Sequence, residues 1–439
     1  PMQYVTDWRK NLAGLDGEHE SFNWNFVDIK GYLTCIDNSH LTSNVSYLIP
    51  HGNVRMNAMG LDNRKPTGIE LEKMKSIVRD AMEIGCPGLS AGLIYTPGAF
   101  CEETELIELC KVVSEYEGVF VVHQRSEAGN IMASMEELFR IVRASKVRLH
   151  ISHFKLCGRK NWHLIDELLE KVDQGLAEGL EITFDMYPYT AGSTMLSAII
   201  PPWGRDGGTE IMLARLQDQL QINKLIKDIL SDDCDWDNFV EFAGTAGIYI
   251  TDVSSDKNRW VVGKNLDEIG EKMKITPIEA AFKLLVEEKN HVSMVDFYGS
   301  DDHLERLIAR AEGVICTDGL LGGKAHPRVY GAFPRVIDRY VNRKPIITLE
   351  QAIRKMTGLP AEIYKLKERG ILKEGYWADL VLIDEKTIKD TNSYEAPHSY
   401  PEGIYMVIVN GEIIYDKEAW HLKDCGKLLL RDVKLVAKV

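Results

Sequence analysis

Two histidines close apolar runs: His123 ends GVFVVH, and His153 lies near the end of VRLHISH. Read as strands, the first puts Val119, Val121 and His123 on one face and the second does the same for Leu149, Ile151 and His153. Both imidazoles then point inward at the C-terminal end of a strand, and in a parallel arrangement those ends meet. Two neutral imidazoles there can hold a divalent metal, zinc first. Asp318 ends GVICTD just before Gly319, where a carboxylate could touch the metal and take a proton from bound water. Each residue also has a plainer role. A lone strand-end histidine is more often a satisfied core residue, and an Asp before Gly is often a turn or cap residue. The repetition on consecutive strands lifts the metal reading. His150, on the opposite strand face from His153, is expected to face the helices. His51, in HGNV, reads as part of a tight turn with a structural role, and Cys316 reads as core. The acidic SDDCDWD run around Asp232 and Asp237 reads as a solvated face, since a calcium loop would need different spacing and a glycine.

Positioning these groups requires strands that end together. Short runs rich in Val, Ile and Leu recur through Ser46–Ile49, around Leu93, up to His123, up to His153, around Asp185 and Tyr187, and up to Asp318. Such runs read as strands buried on both faces. Helical patterns separate them. Thr67 to Glu70 fits a capping box opening a helix with Leu71, Met74, Val78 and Ala81 on one side. Thr104 to Tyr116, Met135 to Ala144 and Leu164 to Leu176 repeat the pattern. Alternating strands and helices imply a parallel sheet, and strand-end chemistry favours an α/β fold, the (β/α)8 TIM-like barrel. An open doubly wound sheet is second, because no GxGxxG joins a strand to a helix. Six strands fit clearly and Val292–Phe297 could be a seventh, so the N-terminal strands of an eight-stranded barrel are expected to lie upstream of the chain.

The expected divisions are residues 1–366 as the barrel, with 195–290 as a cap insertion, and 367–439 as a small β module. Residues 1–43, with Trp8 and Trp24, read as a loop-and-helix lead-in. In the β module, Asn410-Gly411 within VIVNGEIIYD marks a hairpin turn. Hydrophobic residues make up 45% and charged residues 27% of the 439, an ordinary globular balance that allows a large core. No run of about 18 apolar residues is present, so no membrane partner is expected. The net charge of -14 argues against nucleic acid as a partner. Eight cysteines without a CxxC pair argue against a disulfide framework and favour a reducing, cytoplasmic setting.

Several motifs together resemble one family, in its order: SNVSYLIPHG, GLSAGLIYTPG, VVHQRSE, ISHFKLCGRKNW, FDMYPYTAGST, CTDGLLGGKAHPR, QAIRKMTGLPAEIYKLKERGILKEGYWADLVLID and VNGEIIYD. The sequence resembles the D-aminoacylases (N-acyl-D-amino-acid deacylases) of the amidohydrolase superfamily. The resemblance implies metal-dependent hydrolysis of the amide bond of N-acyl-D-amino acids, with a metal-bound water as nucleophile. It implies that His123 and His153 bind zinc, one ion or two, that Asp318 contacts the metal and shuttles the proton, and that Lys155, Tyr187, Ser193 and Arg328 hold the substrate's carboxylate. It implies a mobile cap after Ser193 and half of a small β-sandwich after residue 367. The sequence departs from the family in lacking the HxH motif of the first strand and the cysteine ligand of the second, and in carrying Ser152-His153-Phe154-Lys155 where the family has SHHK. The remaining metal ligands are therefore expected upstream of residue 1. Two alternatives stand beside this reading. A hydantoinase- or dihydroorotase-like cyclic amide hydrolase would need a strand-end lysine that the sequence does not offer. A non-catalytic paralogue would lack the full metal site.

Overall fold

The structure is a computed structural model, and it describes Thr6, Arg9 and residues 26–231 and 234–433. Trp8 and Trp24 of the expected lead-in, and Asp232 of the acidic run, lie outside the described residues. Of the lead-in, the helix Ile29–Asp37 is described, with the Asp28 side chain capping its first turn.

Five parallel strands follow: β1 (Ile49–Pro50), β2 (Gly88–Gly92), β3 (Val119–His123), β4 (Arg148–Ile151) and β5 (Ile182–Met186). The chain then leaves the sheet for β6 (Ala191–Met195), β7 (Ile248–Val253) and β8 (Val292–Phe297), and returns as β9 (Gly313–Ile315). The parallel sheet runs β1-β2-β3-β4-β5-β9, so the six strands read from sequence are the six observed. Between them lie the helices Gly68–Ile84, Glu103–Glu115, Ile131–Ser145 and Ile165–Ala177. The first carries the expected capping box, Thr67 and Glu70 each accepting from the other's backbone N–H. The fold is a TIM-like barrel of these strands with a small β module. Among the described residues β1 and β9 are the two ends of the sheet.

The sheet separates two apolar layers. Phe120, Val122, Leu149, Ile151 and Phe184 pack among the helices in the largest core. On the other face Val119, Val121 and Val314 meet Ile363, with Leu359 and Tyr364, so the short helix Gly358–Ile363 fills the inner side. This settles the facing of β4 against the sequence expectation. Leu149 and Ile151 face the helices, and His150 faces inward in register with Val121 and Thr183. His153 lies past the strand end, where φ is +37° and strand alternation no longer applies.

A second expectation is also overturned. Val292–Phe297 is not a barrel strand but the centre of an antiparallel sheet, β6-β8-β7. A short apolar run has no feature that distinguishes a parallel from an antiparallel setting. This sheet has its own core, reaching from Leu196 and Ile199 through Leu225, Ile250 and Leu266 to Leu284 and Met294. The C-terminal module is a three-stranded antiparallel sheet of β10 (Leu380–Ile383), β11 (Ile404–Val409) and β12 (Glu412–Asp416). Asn410 (φ +51°) and Gly411 (φ +88°) form its two-residue hairpin turn, as expected from the sequence. Among the described residues no helix is long and apolar enough to cross a membrane.

Candidate active site

The C-terminal ends of β3, β4 and β9 open onto one cavity of about 350 Å³, whose other wall is the antiparallel sheet. His123, His153, Lys155, Tyr187, Ser193, Asp318 and Arg328 all line it, so the structure brings together the seven residues given a metal, catalytic or substrate role above, whereas His51, His150, Cys316 and Asp237 do not line it.

At one end stand the two histidines, with ring centroids 4.4 Å apart. Glu127, absent from the sequence reading, stands between them. Its Oε2 is 3.6 Å from His123 Nε2, and its Oε1 is 3.0 Å from His153 Nδ1. Lys155 Nζ donates to Glu127 Oε1 at 2.7 Å and lies 2.8 Å from His153 Nδ1. Burial, which disfavours the imidazolium, holds His123 down at about 3, so its ring is neutral at ordinary pH. Burial alone would raise the Glu127 carboxyl, but Lys155 and the histidines hold it well below the usual range. The Lys155 ammonium is likewise penalised by burial and kept charged by Glu127.

One donor atom each of His123, Glu127 and His153 lie within 4.8 Å of one another. His123 Nε2 is buried and has no hydrogen-bond partner among the described residues. An orphaned imidazole nitrogen beside an ionised carboxylate and a second imidazole is a nitrogen–oxygen donor set that suits a zinc-sized divalent cation. Asp318 is not in this cluster. Its Oδ2 pairs with Arg328 Nη1 at 2.9 Å, a contact close enough for an ion pair but not aligned as a hydrogen bond. Asp318 has a φ of +46°, so both it and His153 sit in the sparsely populated left-handed region, each at a bend just past a strand.

Arg328 is 1% exposed. It donates through Nη2 to the Ser193 carbonyl at 3.2 Å, lies over the Tyr187 ring at 4.5 Å, and has no hydrogen-bond partner at Nε among the described residues. Its backbone N–H donates to His326 Nδ1 at 3.0 Å, and the other ring nitrogen of His326 bonds the Ala191 carbonyl at 2.9 Å, which requires a neutral imidazole. The Tyr187 hydroxyl is 2.5 Å from that of Tyr298.

The floor of the site is a chain of hydrogen bonds. Asp185 accepts from the His153 backbone N–H at 2.6 Å, and its other oxygen is 2.9 Å from His150 Nε2. The inward-facing His150 therefore helps to fix Asp185, and Asp185 the turn that carries His153. The acidic run also departs from expectation. Asp237 is buried, not solvated, and accepts from Ser126 Oγ and the Glu127 N–H, both at 2.6 Å. Burial pushes its carboxyl up to about 7. The apolar Trp236 and Phe239 on either side pack into the second core and carry it inward. His51 opens the helix His51–Met59 instead of a tight turn, and bonds Glu105 at 2.7 Å away from the cavity. The signal for Glu127 was available: an acidic residue four positions after a strand-end histidine, on the loop that leaves the same end of the sheet.

The chain has counterparts among known proteins. The sequence profile of the amidohydrolase family matches residues 322–415. The chain is 30% identical over 421 residues to a D-aminoacylase of Alcaligenes xylosoxydans xylosoxydans, covering 95% of this chain and 77% of that protein. It belongs to the D-aminoacylase family of amidohydrolases. Among solved structures, the N-acyl-D-glutamate deacylase of Bordetella bronchiseptica, crystallised with zinc and a phosphonate mimic of the tetrahedral intermediate, superposes with a TM-score of 0.77 at 28% identity, over 92% of this chain and 75% of that one. A D-aminoacylase with a binuclear metal centre gives 0.76 at 28% identity, over 92% and 76%. These family members are metal-dependent hydrolases acting on amide C–N bonds, and the family relationship favours that chemistry over the cyclic-amide alternative.

Proposed function

We propose that this protein is a metal-dependent hydrolase that cleaves the amide bond of N-acyl-D-amino acids. The observation that carries the reading is the metal-capable group of His123, Glu127 and His153 sharing a cavity with the Arg328–Asp318 pair. A divalent ion, zinc first, would be held by those three residues, and when bound it would polarise the scissile carbonyl and lower the pKa of water. Neutral His123 offers a lone pair, and Glu127 stays ionised because Lys155 is beside it. Asp318 takes the proton of the attacking water and returns it to the leaving nitrogen. Arg328 and Lys155, with the hydroxyls of Tyr187 and Ser193, hold the substrate's carboxylate; the unpartnered Nε of Arg328 supports a forked contact. Residues 195–290 act as a cap on the barrel of 1–366, and 367–439 form the separate β module. All eight cysteines are free, which fits a reducing, cytoplasmic location.

The test is zinc analysis with hydrolysis of N-acetyl-D- and N-acetyl-L-methionine, in wild type and Asp318→Asn. Bound zinc, a preference for the D enantiomer and a loss of about 10²- to 10⁴-fold in the variant are expected. A folded protein that takes up zinc but cleaves neither enantiomer overturns the reading, and one that binds no zinc points to a non-catalytic paralogue.

A further inference from the structure

The two cations lining the cavity each have a carboxylate partner: Lys155 pairs with Glu127 at 2.7 Å and Arg328 with Asp318 at 2.9 Å. A further carboxyl, Asp296, has none. It lies on β8 directly across from Gly192 on β6, lines the same cavity and is 1% exposed. Its Oδ2 is buried with no hydrogen-bond partner, and no ion pair reaches it among the described residues. The sequence shows no reason for an acid at this strand position, where its own core would take an apolar residue as readily. Gly192 keeps the space beside it open: a Cβ there would stand 3.3 Å from Asp296 Oδ1 and 2.9 Å from Tyr298 Cε1. Burying a carboxyl without a partner is costly, and sites that keep such a group usually complete it with something that binds. Burial pushes this carboxyl up to about 7, and a cation placed against it would restore its charge.

We infer that Asp296 is a specificity-determining residue that receives the cationic end of the substrate's side chain, so that N-acyl-D-amino acids bearing an ammonium or guanidinium are preferred. This rests on the deacylase reading above. An acidic side chain would set two carboxylates together, and a neutral one would leave Oδ2 unpaired.

The experiment compares kcat/KM for N-acetyl-D-lysine, N-acetyl-D-methionine and N-acetyl-D-glutamate in the zinc-loaded wild type and in Asp296→Asn. In the wild type, lysine is expected to exceed methionine by about tenfold and glutamate by about a hundredfold. In Asp296→Asn the lysine rate falls about tenfold while methionine stays within about threefold. The wild-type ranking does not depend on the variant folding, and calorimetric binding of the product D-lysine, expected to weaken about tenfold in the variant, gives a reading apart from turnover. A wild type that prefers methionine or glutamate, or a variant that keeps the lysine preference, overturns the inference and leaves the deacylase reading standing. Failure to cleave any of the three overturns that reading and the inference with it.

Discussion

The parallel sheet and the antiparallel sheet that faces it contribute to the cavity in different ways. The parallel side presents its groups from strand ends and the bends after them: His123 at the end of β3, His153 two residues past β4, Asp318 three past β9. The antiparallel side presents its groups from within strands, Ser193 on β6 and Asp296 on β8. Strand ends of a parallel sheet converge and leave their side chains free to gather around an ion, whereas mid-strand positions are held in a pleat and make a wall of fixed shape. The two sides have separate apolar cores. One direct tie between them is Asp237, which reaches from the segment between β6 and β7 to the backbone N–H of Glu127. Asp237 is one of several places where one side can influence the other, beside the Tyr95 hydroxyl, which bonds Thr194 on β6 at 3.0 Å.

The largest expected effect comes from removing a donor on the parallel side. His123→Ala is expected to abolish zinc retention and lower kcat/KM by about 10³-fold, equivalent to roughly 4 kcal/mol of barrier, with the fold intact by circular dichroism. A variant that keeps its zinc and its rate would move the ion elsewhere. The two cores give the next effect. Leu138→Ala among the helices and Leu284→Ala in the antiparallel layer should each cost about 2–5 kcal/mol in urea denaturation, because both side chains are fully buried. If the layers are distinct, the second change raises KM before it affects zinc content, and the first does both together.

Asp237→Ala tests the tie. Losing the acceptor for Ser126 and Glu127 is expected to weaken zinc binding about 10- to 100-fold, while Asp237→Asn, which still offers an oxygen to the Glu127 N–H, restores most of it. Equal zinc affinity in all three proteins would make the tie structural only.

The smallest effect is in pH. Burial first, and Arg328 second, hold His326 well below its ordinary 6.5. The unfolded chain therefore takes up that proton first. The contribution of His326 is fully present above pH 6.5 and is lost as pH falls from there toward its depressed folded value, with a slope of at most about 1.4 kcal/mol per pH unit. His326→Gln should flatten the fall in urea stability between pH 7.5 and 5.5, and an unchanged slope would assign it to other groups.

Much of this was legible in the residues alone. Buried parallel strands show up as short runs of Val, Ile and Leu, because both their faces are covered; this is why six strands and their order were readable. The capping box at Thr67 and the Asn410-Gly411 turn are local, fixed by groups a few residues apart. His123 was readable because it continues the alternation of Val119 and Val121 on the inner face. The same parity argument failed for His150 and His153, since the chain bends after Ile151. Glu127 carried a local signal in its spacing from His123, whereas Asp237 and Asp296 were not readable. Both lie in stretches whose polarity fits a surface loop or an ordinary strand equally well, and both are buried by segments far along the chain.

Strands, helices, family and most residues capable of chemistry can be read along the chain, because periodicity, caps and motif order are carried by neighbouring residues. Which carboxylate stands between the histidines, that Val292–Phe297 joins an antiparallel wall, and that the buried Asp296 lines the cavity without a partner among the described residues all emerge only on folding. Those outcomes depend on how separate segments pack and on which charges burial leaves together. Packing and burial act between residues 26 positions apart at His153 and Glu127 and 111 apart at Ser126 and Asp237, a relation that no local pattern records.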